Sequence, residues 1–273
     1  MALALGRVPR AHIVAALIRR DWLIQRSYRT PLVTDIVFGF LNLTVYYFIS
    51  KVLRPTSLSQ LDGAPTYFAF ATAGIAIAAV LQGSTISITR RIREDQLTGT
   101  LEVLLAQPVT AAEVALGIAG FPFLFAAVRA MVYLALAAAF LGLPVSRLDP
   151  LGLLVALGAA GLAFTAIGVA LAALVLLVKR ADAVGGALIT VMALLGGAFF
   201  PTHALPAWLT PLSYLVPTRY AFRAFRGAQF GAEGWLGPSA VLAAFALVAL
   251  PISLACFSFA IRHNLRRGTL QQY

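Results

Sequence analysis

The sequence predicts a polytopic all-α integral membrane protein, and three observations carry that prediction. The chain of 273 residues is 60% hydrophobic and only 11% charged, with a mean hydropathy of +0.88. Soluble domains carry about 25% charged residues. Its apolar residues fall in runs long enough to cross a bilayer, which takes about 20 residues at a rise of 1.5 Å each. Its charges gather in the short stretches between those runs. A single membrane domain, residues 1–273, is expected, with no soluble domain appended.

Residues 8–29 are expected to form an amphipathic helix lying on the cytoplasmic membrane surface. At 100° per residue Ile13, Val14, Leu17, Ile18, Trp22 and Ile24 share one half, and Arg19 and Arg26 fall opposite. Arg10 and Asp21 interrupt the apolar half. The charges at Arg7, Arg10, Arg19, Arg20, Asp21, Arg26 and Arg29 argue against a cleavable signal peptide.

Six transmembrane helices are then expected, at 30–50, 63–89, 114–142, 150–178, 183–200 and 236–261. The first holds one charge, Asp35; the second holds none; the third holds Arg129. The fourth is bounded by Asp149-Pro150 and Lys179-Arg180, and its Gly158, Gly161 and Gly168 favour close helix packing. The uncharged run from Ala183 to Thr218 is too long for one span, and Pro201, Pro206, Pro211 and Pro217 break its second half. Residues 201–232 are therefore expected to form a folded, re-entrant extracellular segment before the last span.

Orientation follows from lysine and arginine. The leader, the 90–113 insert, the 179–182 loop and the tail after residue 261 together carry fourteen, against six in the alternate segments (Lys51, Arg54, Arg147, Arg219, Arg223, Arg226). Both termini and the insert are expected to be cytoplasmic. The net charge of +11 then reflects topology and anionic lipid headgroups, and nucleic acid is not expected as a partner.

Several chemistries lack their residues. The only lysines, Lys51 and Lys179, have no glycine before them and no Ser/Thr after them, so no phosphate-cradling GxxxxGK[ST] loop exists here. There is no GxSxG elbow and no HExxH; His12, His203 and His263 lie in different segments, and Cys256 is alone. No cofactor and no metal are expected in this chain. A charge at the position of Arg129 costs about 2.5–3.5 kcal/mol on insertion scales. It is either a pathway residue or the partner of Asp35 in a pair that fixes packing. Tyr46 and Tyr47 face the same choice between an aromatic belt and a pathway lining.

The insert at 90–113 holds four of the ten acidic residues (Glu94, Asp95, Glu102, Glu113) beside Arg90, Arg91 and Arg93. Gly99 is expected to break it, Thr100 to cap a short following helix, and Thr110 with Glu113 to form a capping box after Pro108. Helix, break, helix is a lever more than a loop.

These residues also carry a resemblance. Arg93-Glu94-Asp95, Gly99-Thr100-Leu101-Glu102, Leu104-Leu105, Pro108 and Glu113 with Gly117 resemble the segment between the second and third spans of type-2 ABC exporter permeases. The proline-rich run 199–227 resembles that family's segment between the fifth and sixth spans, although Asp95 departs from the charged pairing many members show. The resemblance implies a cytoplasmic coupling helix docked on a separate ATP-binding subunit, which would hold the ATP and magnesium. Contact would run through Arg93, Glu94, Asp95, Gly99, Thr100, Glu102 and Pro108, with a second contact at Lys179 and Arg180. It further implies pairing with a second permease copy, identical or a paralogue, in a bacterial-type plasma membrane. The cargo would be amphipathic, a hydrophobic drug or antibiotic or a lipid-linked glycan. The alternatives are an integral-membrane lipid-modifying enzyme, which needs clustered acids or histidines, and an ion-coupled carrier, which needs buried acids and inverted repeats.

Overall fold

Helix boundaries in this chain sit where side chains satisfy the orphan amides of a first turn. The computed structural model describes residues 10–27, 29–53, 61–178, 182–231 and 234–267. Helices α1 (Arg10–Ser27) and α2 (Arg29–Val52) lead into α3 (Tyr67–Leu97), the short α4 (Thr100–Leu105) and α5 (Ala111–Leu141). After α6 (Pro150–Leu177) come α7 (Asp182–Gly196), a 3-10 turn at Thr202–Ala204, α8 (Thr210–Leu215), α9 (Pro217–Phe230) and α10 (Leu236–Arg267). The Thr66 hydroxyl accepts from the Ala69 N–H at 3.1 Å and starts α3. Asp149 accepts from the Gly152 N–H at 3.1 Å, with Pro150 next to it, and starts α6. The Gly152 N–H and the Trp235 Nε1–H, 2.7 Å away, hold the Asp149 carboxyl below the usual carboxylate range.

Five helical stretches are long and apolar enough to cross a membrane: Leu32–Val52, Tyr67–Leu97, Ala111–Leu141, Pro150–Leu177 and Leu236–Asn264. The expected fifth span at 183–200 is shorter. Helix α7 has 15 residues, about 22 Å against a hydrocarbon core of about 30 Å. Gly197, at φ 83°, ends it and turns the chain onto α3. Gly74 makes that turn possible, because a Cβ there would lie 1.9 Å from the Ala198 carbonyl oxygen.

Helices α3 and α6 form the interior. Of the most apolar stretch of α3, 83% is buried, against 6% for α2, so α2 is left facing lipid or another chain. Gly168 lets α6 meet α3 where a Cβ would fall 2.5 Å from the Ser84 carbonyl oxygen, and Gly161 makes room for the Phe123 ring. Gly158, expected to share that role, faces open space.

Residues 201–231 fold into a 3-10 turn and two helices, and their basic residues are not loop charges. Helix α9 is enclosed by α3, α6, α7 and α10, and Arg226 within it is only 2% exposed. Its Nη2 donates to the carbonyls of Gly197 at 2.8 Å and of Phe70 and Ala198 at 3.4 Å; Nη1 reaches Asp62 at 3.4 Å. The guanidinium lies 3.5 Å over the Phe70 ring. Arg219 is also buried, hydrogen-bonded to the Ser213 hydroxyl and 3.8 Å over the Tyr214 ring. The turn after α7 frees carbonyls that no helix satisfies, and Arg226 fills that demand.

Arg226→Met should therefore cost about 3–5 kcal/mol, because it strands Asp62 and the carbonyls of Gly197 and Ala198. Asp62→Asn, at a longer and partly solvated contact, should cost about 1 kcal/mol or less. Thermal unfolding of the two variants in one detergent measures both.

Candidate functional site

The charged insert is not a separate element at its start. Helix α3 runs unbroken to Leu97, so Arg90, Arg91, Arg93, Glu94 and Asp95 occupy its last two turns. The Thr98 N–H and hydroxyl both donate to the Glu94 carbonyl, at 3.0 and 2.8 Å, and close the helix. Gly99, at φ 71°, reverses the chain into α4. Thr100 does not cap α4 as expected: it is the first residue of that helix, one past the cap position, and its hydroxyl donates to the Asp95 carboxylate at 2.9 Å. Leu101 is buried with Ile88, Ile92, Val114 and Ile118 and pins α4 to the bundle. After exposed Pro108 the expected capping box is present, with Glu113 N–H to Thr110 Oγ1 at 3.2 Å and Thr110 N–H to Glu113 Oε2 at 2.8 Å.

Glu94 and Asp95 are neighbours with opposite surroundings. The Glu94 side chain is 54% exposed and the Asp95 side chain 6%. Asp95 lies 3.8 Å from both Arg20 and Arg91, and Asp21 lies 2.9 Å from Arg20 and 3.3 Å from Arg91. Asp21, which interrupts the apolar half of α1, thus belongs to a four-membered ion network that clamps α1 to the end of α3. The same helix rests on α5, where a Cβ at Gly117 or Gly120 would fall 2.3 Å from Leu17 or 2.6 Å from Ile18. Arg93 is half-buried and Thr100 exposed. The Glu102 side chain, Lys179 and Arg180 lie outside the described residues. Sequence reasoning missed Leu97 and Val103, two large apolar side chains exposed at the end of α3 and on α4. Their signal was an apolar residue on the outer face of a segment too polar for the bilayer.

Above this elbow two cavities meet at one residue. The one at the elbow side, about 250 Å³, runs past Asp21, Arg91 and Phe121 to Arg129. The other, about 310 Å³, continues from Arg129 past Asp35, Asn42, Tyr46 and Gln82 to Phe199. Arg129 Nη1 donates to both carboxylate oxygens of Asp35 at 3.0 and 3.1 Å, and Nη2 to the Ala79 carbonyl at 2.7 Å. The Tyr133 hydroxyl donates to the Asp35 carbonyl at 3.3 Å. Three of the four expected pathway residues, Asp35, Tyr46 and Arg129, thus share one cavity. Tyr46 also stacks on Phe199 with centroids 5.7 Å apart. Tyr47 does not line it; it packs edge-on against Phe68 at 5.5 Å, with Lys51 over its ring.

Asp95→Asn keeps an acceptor for Thr100 but removes one of the two carboxylates between Arg20 and Arg91. Amide hydrogen exchange should rise about tenfold in α1 and α4, the equivalent of about 1.4 kcal/mol. Exchange in α6 should be unchanged.

The family model for the ABC-2 type transporter matches residues 12–230, from the first turns of α1 to the end of α9. That span takes in the elbow, both cavities and the enclosed α9. No curated protein matches the chain. The chain belongs to the ABC-2 type transporter family and is a multi-pass membrane permease component of an ABC transporter.

Proposed function

We propose that this chain is the membrane-spanning half of an ATP-driven exporter, and that the elbow formed by the end of α3, α4 and the start of α5 docks a separate ATP-binding subunit. One observation carries the reading: Leu97 at the end of α3 and Val103 on α4 stand exposed on a charged elbow whose Leu101 is buried in the bundle. Large apolar side chains next to exposed charge are the anatomy of an interface core with a polar rim. Motion of the docked subunit would pass along α3, which is one helix from elbow to outer end, and through the ion network to α1. Binding of ATP drives export only if it favours one of two conformations, so the docked subunits must close more tightly around one arrangement of the elbows.

A second permease copy, identical or a paralogue, completes the pathway by covering the outer face of α2, where Val37, Phe38, Leu41, Val45 and Phe48 are exposed. Helix α7 serves as the fifth of six crossings, and the 3-10 turn, α8 and α9 that follow it as the extracellular re-entrant segment before the last span. Both termini lie in the cytoplasm of a bacterial-type plasma membrane, with α1 at the inner surface, as the lysine and arginine distribution supports. The cargo is amphipathic, a hydrophobic drug or antibiotic or a lipid-linked glycan, because the cavities set charged side chains (Arg90, Arg91, Arg129, Asp35) beside apolar ones (Ile24, Phe121, Phe125, Phe199).

Leu97→Ser with Val103→Ser should leave membrane insertion intact and reduce co-purification of the ATP-binding subunit more than tenfold, since each side chain loses about 1.5–3 kcal/mol of burial at the interface. Glu94→Ala with Glu102→Ala should fold normally and separate ATP hydrolysis from transport. Full transport by that double variant contradicts the docking role.

A further inference from the structure

We infer that Arg129 is an anion-exchange gate: it holds Asp35 when the site is empty and transfers to the phosphate or carboxylate headgroup of an amphiphile arriving through the elbow-side cavity. The inference deepens the exporter reading by naming the substrate class, and it rests on that reading for the direction of transport alone.

The position of Arg129 is the first support. It is the residue common to both cavities, so the elbow-side space ends on its guanidinium and the second space begins there. Eight residues separate it on α5 from Phe121, where Trp22 of α1 packs with ring centroids 6.4 Å apart, which is about 12 Å of helix. A headgroup at Arg129 has therefore moved well past the level of α1. The same cavity is lined by the charged Asp21, Arg90, Arg91 and Glu94 and by Ile24, Phe121 and Phe125, so it offers an amphiphile polar groups for its head and apolar ones for its alkyl tail.

The state of the guanidinium is the second. Nη1 and Nη2 are engaged, but Nε has no hydrogen-bond partner among the described residues. An oxyanion approaching side-on takes Nε and a terminal nitrogen together, the forked geometry that arginine offers and lysine does not. Its present partner is easily released, because the Asp35 side chain is 37% exposed while that of Arg129 is 16% exposed. Asp35 lines the second cavity beside Asn42 and Gln82, so its carboxylate keeps polar neighbours when its arginine leaves, whereas an unpaired arginine in the bundle loses much. Exchange of one anion for another keeps the arginine paired throughout.

The room for this exchange is built in. At Gly83 a Cβ would fall 2.5 Å from the Ala126 Cβ and 3.6 Å from Arg129 Nη2. At Gly39 a Cβ would fall 2.2 Å from the Tyr133 ring. Two glycines thus bring α3, α5 and α2 together around the guanidinium and the tyrosine that steadies Asp35. A cation would find the opposite conditions, because the only carboxylate at the junction is already held by Arg129.

The test uses the permease with its ATP-binding subunit in nanodiscs of neutral phosphatidylcholine. Three photoreactive probes share one dodecyl chain bearing a diazirine and differ in the headgroup: phosphate, trimethylammonium or maltoside. The phosphate probe should label the Phe121–Phe125 region about tenfold more than the other two, the order expected for one charge-assisted hydrogen-bonded pair. Arg129→Gln should abolish the preference and Arg129→Lys should keep part of it. Asp35→Asn removes the competing anion and should raise phosphate-probe labelling. Millimolar inorganic phosphate should not displace the probe. Equal labelling by all three headgroups, preference for the ammonium, loss of labelling in Arg129→Gln and Asp35→Asn alike, or displacement by inorganic phosphate would each overturn the inference. Co-purification of the ATP-binding subunit and its hydrolysis rate are read on the same samples. A coupled complex with headgroup-indifferent labelling sinks the anion gate and leaves the exporter reading standing.

Discussion

Hydrocarbon cannot hydrate a guanidinium, so each arginine inside the bundle must find its compensation in protein, and α3 collects most of it. Arg226 of α9 donates to the Phe70 carbonyl and stacks on the Phe70 ring near the outer end of α3. Arg129 of α5 donates to the Ala79 carbonyl midway. Arg91, on α3 itself, joins Asp21 and Asp95 near the inner end. These attachments are spread over 21 residues, about 32 Å of helix. They tie α1, α5 and α9 to one continuous mast, and α2 is drawn in through Asp35.

On the proposed docking, that arrangement would carry a force applied at the elbow to the cavities. Helix α4 is short, but Leu101 roots it in the same cluster as Ile88 and Ile92 of α3 and Val114 of α5. The Asp95 carboxylate joins α4 to α3 through Thr100 and lies close to Arg20 of α1. A push on exposed Glu94, Leu97 or Val103 is thus shared between the mast and the surface helix. Arg129 sits where those two bodies and α2 converge, so a small change in their spacing acts first on the Arg129–Asp35 pair.

Much of this was legible in the sequence. Charge-free runs and the caps at Asp149, Thr110 and Glu113 gave the long helices, because each boundary is set by local chemistry. Asp35 with Arg129 was readable as a pair, since two opposite charges in apolar runs need one another. The length of α7 was not legible: Gly197 shortens it only because Gly74, 123 residues earlier, leaves room for the turn. The burial of Arg219 and Arg226 was hidden for the same reason, as carbonyls in need of donors exist only once the chain has turned back. Asp21 read as a flaw in an amphipathic pattern until Arg91, from another helix, met it. Thr100 read as a cap by one residue's error, since α4 begins on Thr100 itself. Long-range pairing, not local propensity, accounts for the other misses, which lie farther apart in the chain.

The central claim is that the elbow and the Arg129 cavity move as one. Spin labels placed at Phe38 on α2 and Leu124 on α5, both exposed, in a Cys256→Ser background, measure the spacing across the Asp35–Arg129 contact. A non-hydrolysable ATP analogue added to the complex should shift that distance by several ångströms, and Glu94→Ala with Glu102→Ala should remove the shift. An unchanged distance in a complex that binds the analogue would contradict the account.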